Sequence, residues 1–182
     1  LLNTGASEVR VDLLDGLRNL LPYGVDRAAQ AELSTLLDAY KQAEAVPGAC
    51  AGIYTLSSIL TDRAEPSEAL KATIVWSTGL EQARVLLSED QVQAFCAGKG
   101  AHGEAFVKGK RGAFYVQSAV TLPPQGDHRW YVLADVEQGP SQAAGLLHAI
   151  QQGVAVRAIE EDVAAGTARL EHLVGGADGF QK

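Results

Sequence analysis

The sequence lacks several features that would identify a function. It has 182 residues, no methionine and only two cysteines, Cys50 and Cys96. Without an initiator methionine, we expect the chain to be a processed or excised piece of a longer protein. No apolar run reaches the roughly 18–20 residues that a membrane span needs, and the first residues do not form a signal peptide. Two cysteines outside any CxxC spacing predict free buried thiols, with a disulfide open if the compartment is oxidising.

Positive charge is scarce. Lys and Arg number 15 against 22 Asp and Glu, so the formal net charge is −7. Nucleic-acid binding needs a cationic face for the phosphates, so we expect no nucleic-acid partner. The one basic cluster is Lys108, Lys110 and Arg111, with Lys99 upstream, in the segment KGKRG. We interpret it as a solvated hairpin tip, with contact to an anion or a headgroup as the alternative.

Motifs for catalysis and metal binding are missing as well. The sequence contains no GxSxG, P-loop, GxGxxG or HExxH pattern. No two of its histidines are spaced i, i+4; they are His102, His128, His148 and His172. We therefore expect no enzyme activity, no catalytic residue, no metal site and no cofactor. A haem contact by His148, which lies in a predicted helix, stays open.

Helical spacing of apolar residues predicts helices near both ends of the chain. A first helix runs from a Ser7 cap to residue 21, and a second from an Asp26 cap to about Ala45. Near the other end, apolar residues at a spacing near 3.5 predict a helix over 141–174. A continuous helix of that length would measure about 50 Å. We therefore expect part of it to meet another chain or domain.

Between these helices the sequence predicts five strands, marked by β-branched and aromatic residues. They cover residues 49–57, 72–77, 103–108, 112–121 and 129–136. A polar connection over 58–71, a short helical stretch over 80–87 and a capped helix over 88–97 lie among them. KGKRG predicts a tight hairpin between the third and fourth strands. The predicted fold class is α+β, a five-stranded antiparallel sheet with helices packed on one face and long N- and C-terminal helices.

The predicted domain organisation is a single domain over residues 1–174, since no linker divides the chain. It comprises N-terminal helices over 7–45, an α/β core over 46–139 and a C-terminal helix over 140–174. Residues 175–182 are predicted to form a disordered tail.

Alternating strand faces suggest a ligand site. In two strands, one face carries an aromatic residue beside a residue able to hydrogen-bond, as ligand pockets do. Tyr54 and Trp76 of the first two strands add aromatic rings that would form walls of the pocket. The alternative is that the polar residues cover the outer face of the sheet and the walls belong to the core. The candidate ligand-binding residues are Tyr54, Trp76, Tyr115, Gln117, Tyr131 and Asp135.

The charge of the ligand stays open at this level. An acidic ligand suits Arg84, Lys108 or Arg129, whereas an amine suits Asp135 and the aromatic residues.

Three segments resemble the PAS/Cache group of sensor domains: residues 46–54 (VPGACAGIY), 114–120 (FYVQSAV) and 129–136 (RWYVLADV). The resemblance covers residues 25–152 and implies a five-stranded antiparallel sheet behind a ligand pocket. It further implies a sensory domain of a larger signal-transduction protein, of the chemoreceptor, sensor kinase or cyclase type. A small molecule would bind between sheet and helices, and the terminal helices would carry the signal. The domain would be a homodimer on the periplasmic or extracytoplasmic face, reaching the membrane only through segments outside this chain.

The same segments also resemble roadblock/longin-type domains, in which a helix ending in a Pro-Gly turn precedes the first strand. This second resemblance implies a non-catalytic, cytoplasmic, dimeric interaction scaffold that acts on a small GTPase. A scaffold of this kind should expose a contiguous apolar patch.

Overall fold

Two antiparallel sheets form the framework of the protein. A computed structural model describes residues 1–58 and 70–177, so residues 59–69 of the predicted connection and residues 178–182 of the predicted tail lie outside it. The strands are β1 (Val9–Leu20), β2 (Lys41–Ala45), β3 (Ala51–Leu56), β4 (Ala72–Thr78), β5 (Arg84–Leu86), β6 (Phe106–Lys108), β7 (Gly112–Leu122) and β8 (Tyr131–Gln138). The helices are α1 (Arg27–Glu32), α2 (Ser34–Tyr40), α3 (Val92–Cys96), α4 (Pro140–Gln152) and α5 (Val156–Gly176).

The larger sheet has five strands in the order β6-β2-β3-β4-β8, and the smaller has three in the order β1-β7-β5. Every pairing in both sheets is antiparallel. The α+β class and a five-stranded antiparallel sheet are therefore confirmed. The second sheet is an addition to the prediction, and it takes β7 away from the five-stranded sheet.

Apolar side chains of both sheets pack between them. Tyr54 and Val75 of the larger sheet form one buried cluster with Phe114 and Val116 of β7. The Tyr54 side chain is 1% exposed, and its hydroxyl donates a 2.6 Å hydrogen bond to the Ala113 carbonyl. Burial, together with the nearby Glu104 carboxylate, raises the pKa of Tyr54 far above its usual value, so the hydroxyl stays a donor.

The opposite face of the larger sheet carries the C-terminal helices. Ile150 of α4 and Ile159 of α5 join a buried cluster with Ala51, Ile74 and Trp76. This cluster fills the space between sheet and helices. Beyond residue 160 every described residue of α5 is exposed, so most of this helix extends away from the sheets.

The helix predicted from Ser7 to residue 21 is wrong, because this segment is strand β1. It pairs with β7 from the Val9↔Leu122 pair to the Leu20↔Gly112 pair. The spacing of the leucines fits either a helix or a strand, but an isolated helix of this length is marginal in water. Gly16 disfavours a helix further. In the strand it is required, since a Cβ there would lie 1.9 Å from the Phe114 carbonyl oxygen.

Four further predictions are corrected, three of them by strand pairing. The second predicted helix is divided into α1 and α2 and ends at Tyr40, and residues 41–45 form β2 between β3 and β6. The stretch 80–87 contains strand β5 instead of a helix, and α3 begins at Val92 instead of at its predicted start, 88. KGKRG does not form a β6–β7 hairpin, since β6 pairs with β2 and β7 with β1 and β5. It carries the chain from one sheet to the other.

The C-terminal region also differs from the prediction. Residues 153–155 separate α4 from α5, where Gly153 has a φ of 89°, so the predicted continuous helix is interrupted. Residues 175 and 176, assigned to the disordered tail, belong to α5.

We expect Tyr54→Phe to lower the free energy of unfolding by about 1–2 kcal/mol, because it removes the hydrogen bond between the sheets and keeps the ring. Urea denaturation monitored by circular dichroism measures the change. Tyr40→Phe is the matched control, since no hydrogen bond of the Tyr40 hydroxyl is recorded among the described residues. Equal stability of both variants would show that the inter-sheet bond contributes nothing.

Candidate functional site

The six predicted site residues lie in three places. Tyr54 is buried between the two sheets. Trp76, Tyr131 and Asp135 lie on the helix-facing side of the larger sheet, while Tyr115 and Gln117 lie on the outer face of the smaller sheet. The structure therefore does not bring the six around one ligand.

Trp76, Tyr131 and Asp135, which lie below the helices, form hydrogen bonds within the protein. Trp76 Nε1 donates a 2.8 Å hydrogen bond to Asp135 Oδ2, and Tyr131 donates one of 3.0 Å to Glu160 Oε1 on α5. The bond to Glu160 is the largest cause that raises the pKa of the Tyr131 hydroxyl. The Tyr131–Glu160 bond fastens α5 to the sheet, whereas the Trp76–Asp135 bond joins β4 to β8 within the sheet.

The outer face of the smaller sheet is covered at one end only. There Tyr115 packs with Leu86, Ala101 and Ala113 in a small buried cluster. Burial raises the pKa of the Tyr115 hydroxyl, and the Glu89 carboxylate raises it further. Tyr115 is thus part of the core, while the same face is open two residues farther along β7.

A polar recess of about 300 Å³ occupies the open end. Gln117 of β7 lines it and has Arg84 of β5, another lining residue, as its cross-strand neighbour. We call it the Gln117 recess. The polar residues that line it are Arg10, Asp12, Glu81, Gln82, Arg84, Gln117 and Ser118.

Gln117 is the residue of this recess with an unmet hydrogen-bonding requirement. Its Oε1 atom is buried and has no hydrogen-bond partner. An unpaired buried polar atom costs about 1–3 kcal/mol. A ligand that donates a hydrogen bond to Oε1 recovers this cost.

Charges of both signs surround this amide. Arg84 flanks it on β5, and Arg10 and Asp12 lie on β1 at an Nε–Oδ1 distance of 3.8 Å. An exposed pair of this kind contributes about 0–1 kcal/mol. A ligand with its own charges can replace it at low cost. Glu81 adds a second carboxylate.

The turn that borders the recess also touches the start of α5. Ser118 Oγ donates a 2.7 Å hydrogen bond to the Glu81 carbonyl, which anchors the turn on β7. At the beginning of the turn, Thr78 Oγ1 donates a 2.6 Å bond to the Val154 carbonyl, just before α5. Gly79 packs so closely there that a Cβ would lie 3.1 Å from Val156. Residues 78–82 therefore connect the recess with α5.

Sequence reasoning identified part of this recess. Gln117 is among the predicted ligand-binding residues, and Arg84 is a predicted contact for an acidic ligand. Arg10 and Asp12 were missed because their segment was assigned to a helix. The alternation of Val9, Arg10, Val11 and Asp12 is the strand pattern that could have revealed them.

The cysteines and histidines contribute no second site. Both cysteines are free; Cys50 is half-buried, whereas Cys96 is exposed, contrary to the expected burial. Burial raises the pKa of the Cys50 thiol to about 11. His128 is half-buried, and its Nε2 lies 2.7 Å from the Gly79 carbonyl oxygen. His148 is exposed on α4.

Over residues 1–58 and 70–177, no cluster of His, Cys, Asp and Glu side chains could hold a metal ion. Among the helices in that part of the chain, none has the length and apolarity to cross a membrane.

We expect Asp135→Ala to lower the free energy of unfolding by about 1–3 kcal/mol, because Trp76 Nε1 loses its acceptor beneath α4. Asp135→Asn retains an acceptor oxygen and should cost less. Urea denaturation of both variants measures the difference. Equal stability of Asp135→Ala and the unmodified chain would show that this bond does not stabilise the fold.

Comparisons with known proteins do not assign the chain to a family. No protein-family model matches it, and no curated protein matches it significantly.

Proposed function

We propose that this chain is a non-catalytic, ligand-binding sensory domain of a larger signal-transduction protein, and that its ligand is a small zwitterion held in the Gln117 recess. The observation that carries the proposal is the unpaired buried amide oxygen of Gln117, placed among charges of both signs. This location differs from the space between sheet and helices that the sequence suggested.

A zwitterion is the ligand class that matches the charges of the recess. Arg84 and Arg10 suit a carboxylate, and Asp12 and Glu81 suit an ammonium group. Gln117 Oε1 then accepts a hydrogen bond from the ammonium. A free amino acid carries both groups, and the recess lies at the small end of ordinary ligand pockets, about 300–1,000 Å³.

The lining residues favour binding over catalysis. Ser118 also lines the recess, and its hydroxyl donates a hydrogen bond to the Glu81 carbonyl. A nucleophilic serine needs a neighbouring general base that takes its proton. The bond to a backbone carbonyl supplies no such base.

The proposed signal passes through the turn at residues 78–82. A ligand that contacts Glu81 shifts this turn, and Thr78 and Gly79 transmit the shift to Val154 and Val156. A ligand biases such a movement only through different affinities for the two arrangements. The long exposed part of α5 is the proposed output element. The homodimer and the extracytoplasmic location belong to the same proposal.

A dimeric interaction scaffold is the second candidate. It is favoured by exposed apolar residues spaced along one side of α5, which a partner could cover. They are Val163, Leu170, Leu173 and Val174, each between 42% and 61% exposed.

We expect amino acids to raise the melting temperature of the chain, whereas matching organic acids or amines alone should have a weaker effect. A ligand at 100 times its Kd adds about 2.7 kcal/mol of stability. Gln117→Leu should abolish the shift and, without ligand, should melt at the same temperature or higher because it removes the unpaired oxygen. Differential scanning fluorimetry measures both effects.

Gln93→Leu on α3 is the matched control, since its exposed side chain lies outside the recess. It should respond to ligand like the unmodified chain. If no compound shifts the melting temperature, or if Gln117→Leu binds unchanged, the zwitterion site is wrong. The scaffold then becomes the better candidate.

The connection to α5 has a separate test. Ligand should slow amide hydrogen exchange in residues 156–160, and Thr78→Val should abolish that slowing without changing the ligand's Kd, because it removes only the bond to Val154. Hydrogen exchange with mass spectrometry and calorimetry give the two readouts. Thr55→Val on β3 is the control. Slowing that persists in Thr78→Val would exclude this connection.

A further inference from the structure

A second recess, independent of the Gln117 recess, lies where α1 and α2 meet the ends of β1 and β2. Its volume is about 320 Å³. We call it the cationic recess. The polar residues that line it are Asn19, Arg27, Gln30, Ser34, Lys41 and Arg111.

Lys41 forms an ordered positive floor beneath this recess. Its side chain is 4% exposed, and Nζ donates a 2.8 Å hydrogen bond to Asp38 Oδ1 and another to Gln30 Oε1. A buried ammonium group without such partners would be expensive to retain. The bond to Gln30 Oε1 also sets the direction of the Gln30 amide, which leaves its Nε2 atom as a donor.

Positive charge exceeds negative charge around this floor. Asp38 is shared between Lys41 and Arg111, whose Nε lies 3.6 Å from Asp38 Oδ2. Arg27 forms no ion pair among residues 1–58 and 70–177. Three cations and no carboxylate therefore line the recess, and Asp38 pairs with two of the three, on a chain whose formal net charge is −7.

Unlike Lys41 and Arg111, the other donor groups of the recess have no acceptor among the described residues. Gln30 Nε2 is buried without a hydrogen-bond partner. Within the described chain, no hydrogen bond is recorded for the Ser34 hydroxyl or the Asn19 amide. An acceptor-rich, negatively charged group would satisfy both the charge and the donors at once.

We infer that the cationic recess binds an oxyanion of the phosphate class, either free or as the phosphate group of a small metabolite. Two guanidinium forks, an amide and a hydroxyl offer more donors than the two oxygens of a carboxylate readily accept. The three terminal oxygens of a phosphate accept them, and arginine forks match phosphate geometry. Burial of Lys41 keeps the positive floor in place without ligand.

The test is a titration of the full chain with inorganic phosphate at constant ionic strength, followed by two-dimensional amide NMR. We expect saturable shifts at residues 19, 27–34, 41 and 111. Arg27→Gln and Arg111→Gln should each raise the Kd about tenfold or more, because each removes a charged hydrogen-bonding group. Acetate should bind more weakly than phosphate.

Lys99→Gln is the matched control, since Lys99 is an exposed cation outside the recess. It should leave the Kd unchanged, and circular dichroism should show that all three variants remain folded. Shifts that spread over all surface cations without saturating would overturn the inference, as would equal weakening by Lys99→Gln. Free phosphate and a phosphorylated metabolite are distinguished by repeating the titration with glycerol 3-phosphate. The result is independent of amino-acid binding in the Gln117 recess.

Discussion

Strand β7 carries the packing contact on which the rest of this structure depends. Phe114 and Val116 on its inner face close the core against Tyr54 and Val75 of the five-stranded sheet. Because side chains alternate along a strand, the same register turns Tyr115 and Gln117 outward. The contact that holds the sheets together therefore also places the Gln117 recess. A shift of one residue in the pairing register of β7 would exchange its two faces. It would remove both the contact between the sheets and the Gln117 recess.

The two recesses follow the same physical logic. In each, a glutamine amide has one buried polar atom without a partner, Gln117 Oε1 in one and Gln30 Nε2 in the other. Most buried polar atoms in proteins are paired. The surroundings differ in charge: carboxylates and guanidinium groups both line the Gln117 recess, whereas cations predominate around Gln30. This difference leads to a zwitterion for one site and an oxyanion for the other.

Local signals predicted several elements well. Strands β3, β4, β7 and β8 lie close to their predicted positions, because β-branched and aromatic residues mark them directly. Asp26 caps α1 as expected, since its side chain accepts a hydrogen bond from the Ala29 amide. Segments whose partners lie far away in sequence were predicted poorly. Residues 41–45, KQAEA, favour a helix by propensity, yet pairing on both edges makes them a strand. For the recess, Gln117 and Arg84 were recognised, but Arg10 and Asp12 depend on the β1–β7 pairing.

The sequence by itself determined the α+β class, the most strongly marked strands and which side chains share a face of β7, because propensity and alternation act over a few neighbouring residues. Only the tertiary structure decided that residues 9–20 form a strand, that the strands divide into two sheets and that Gln117 shares a recess with Arg84 and Asp12. Each of these results depends on pairing between residues that are distant in sequence. The free energy of such pairing comes from ladders and buried contacts that exist only after the chain has folded.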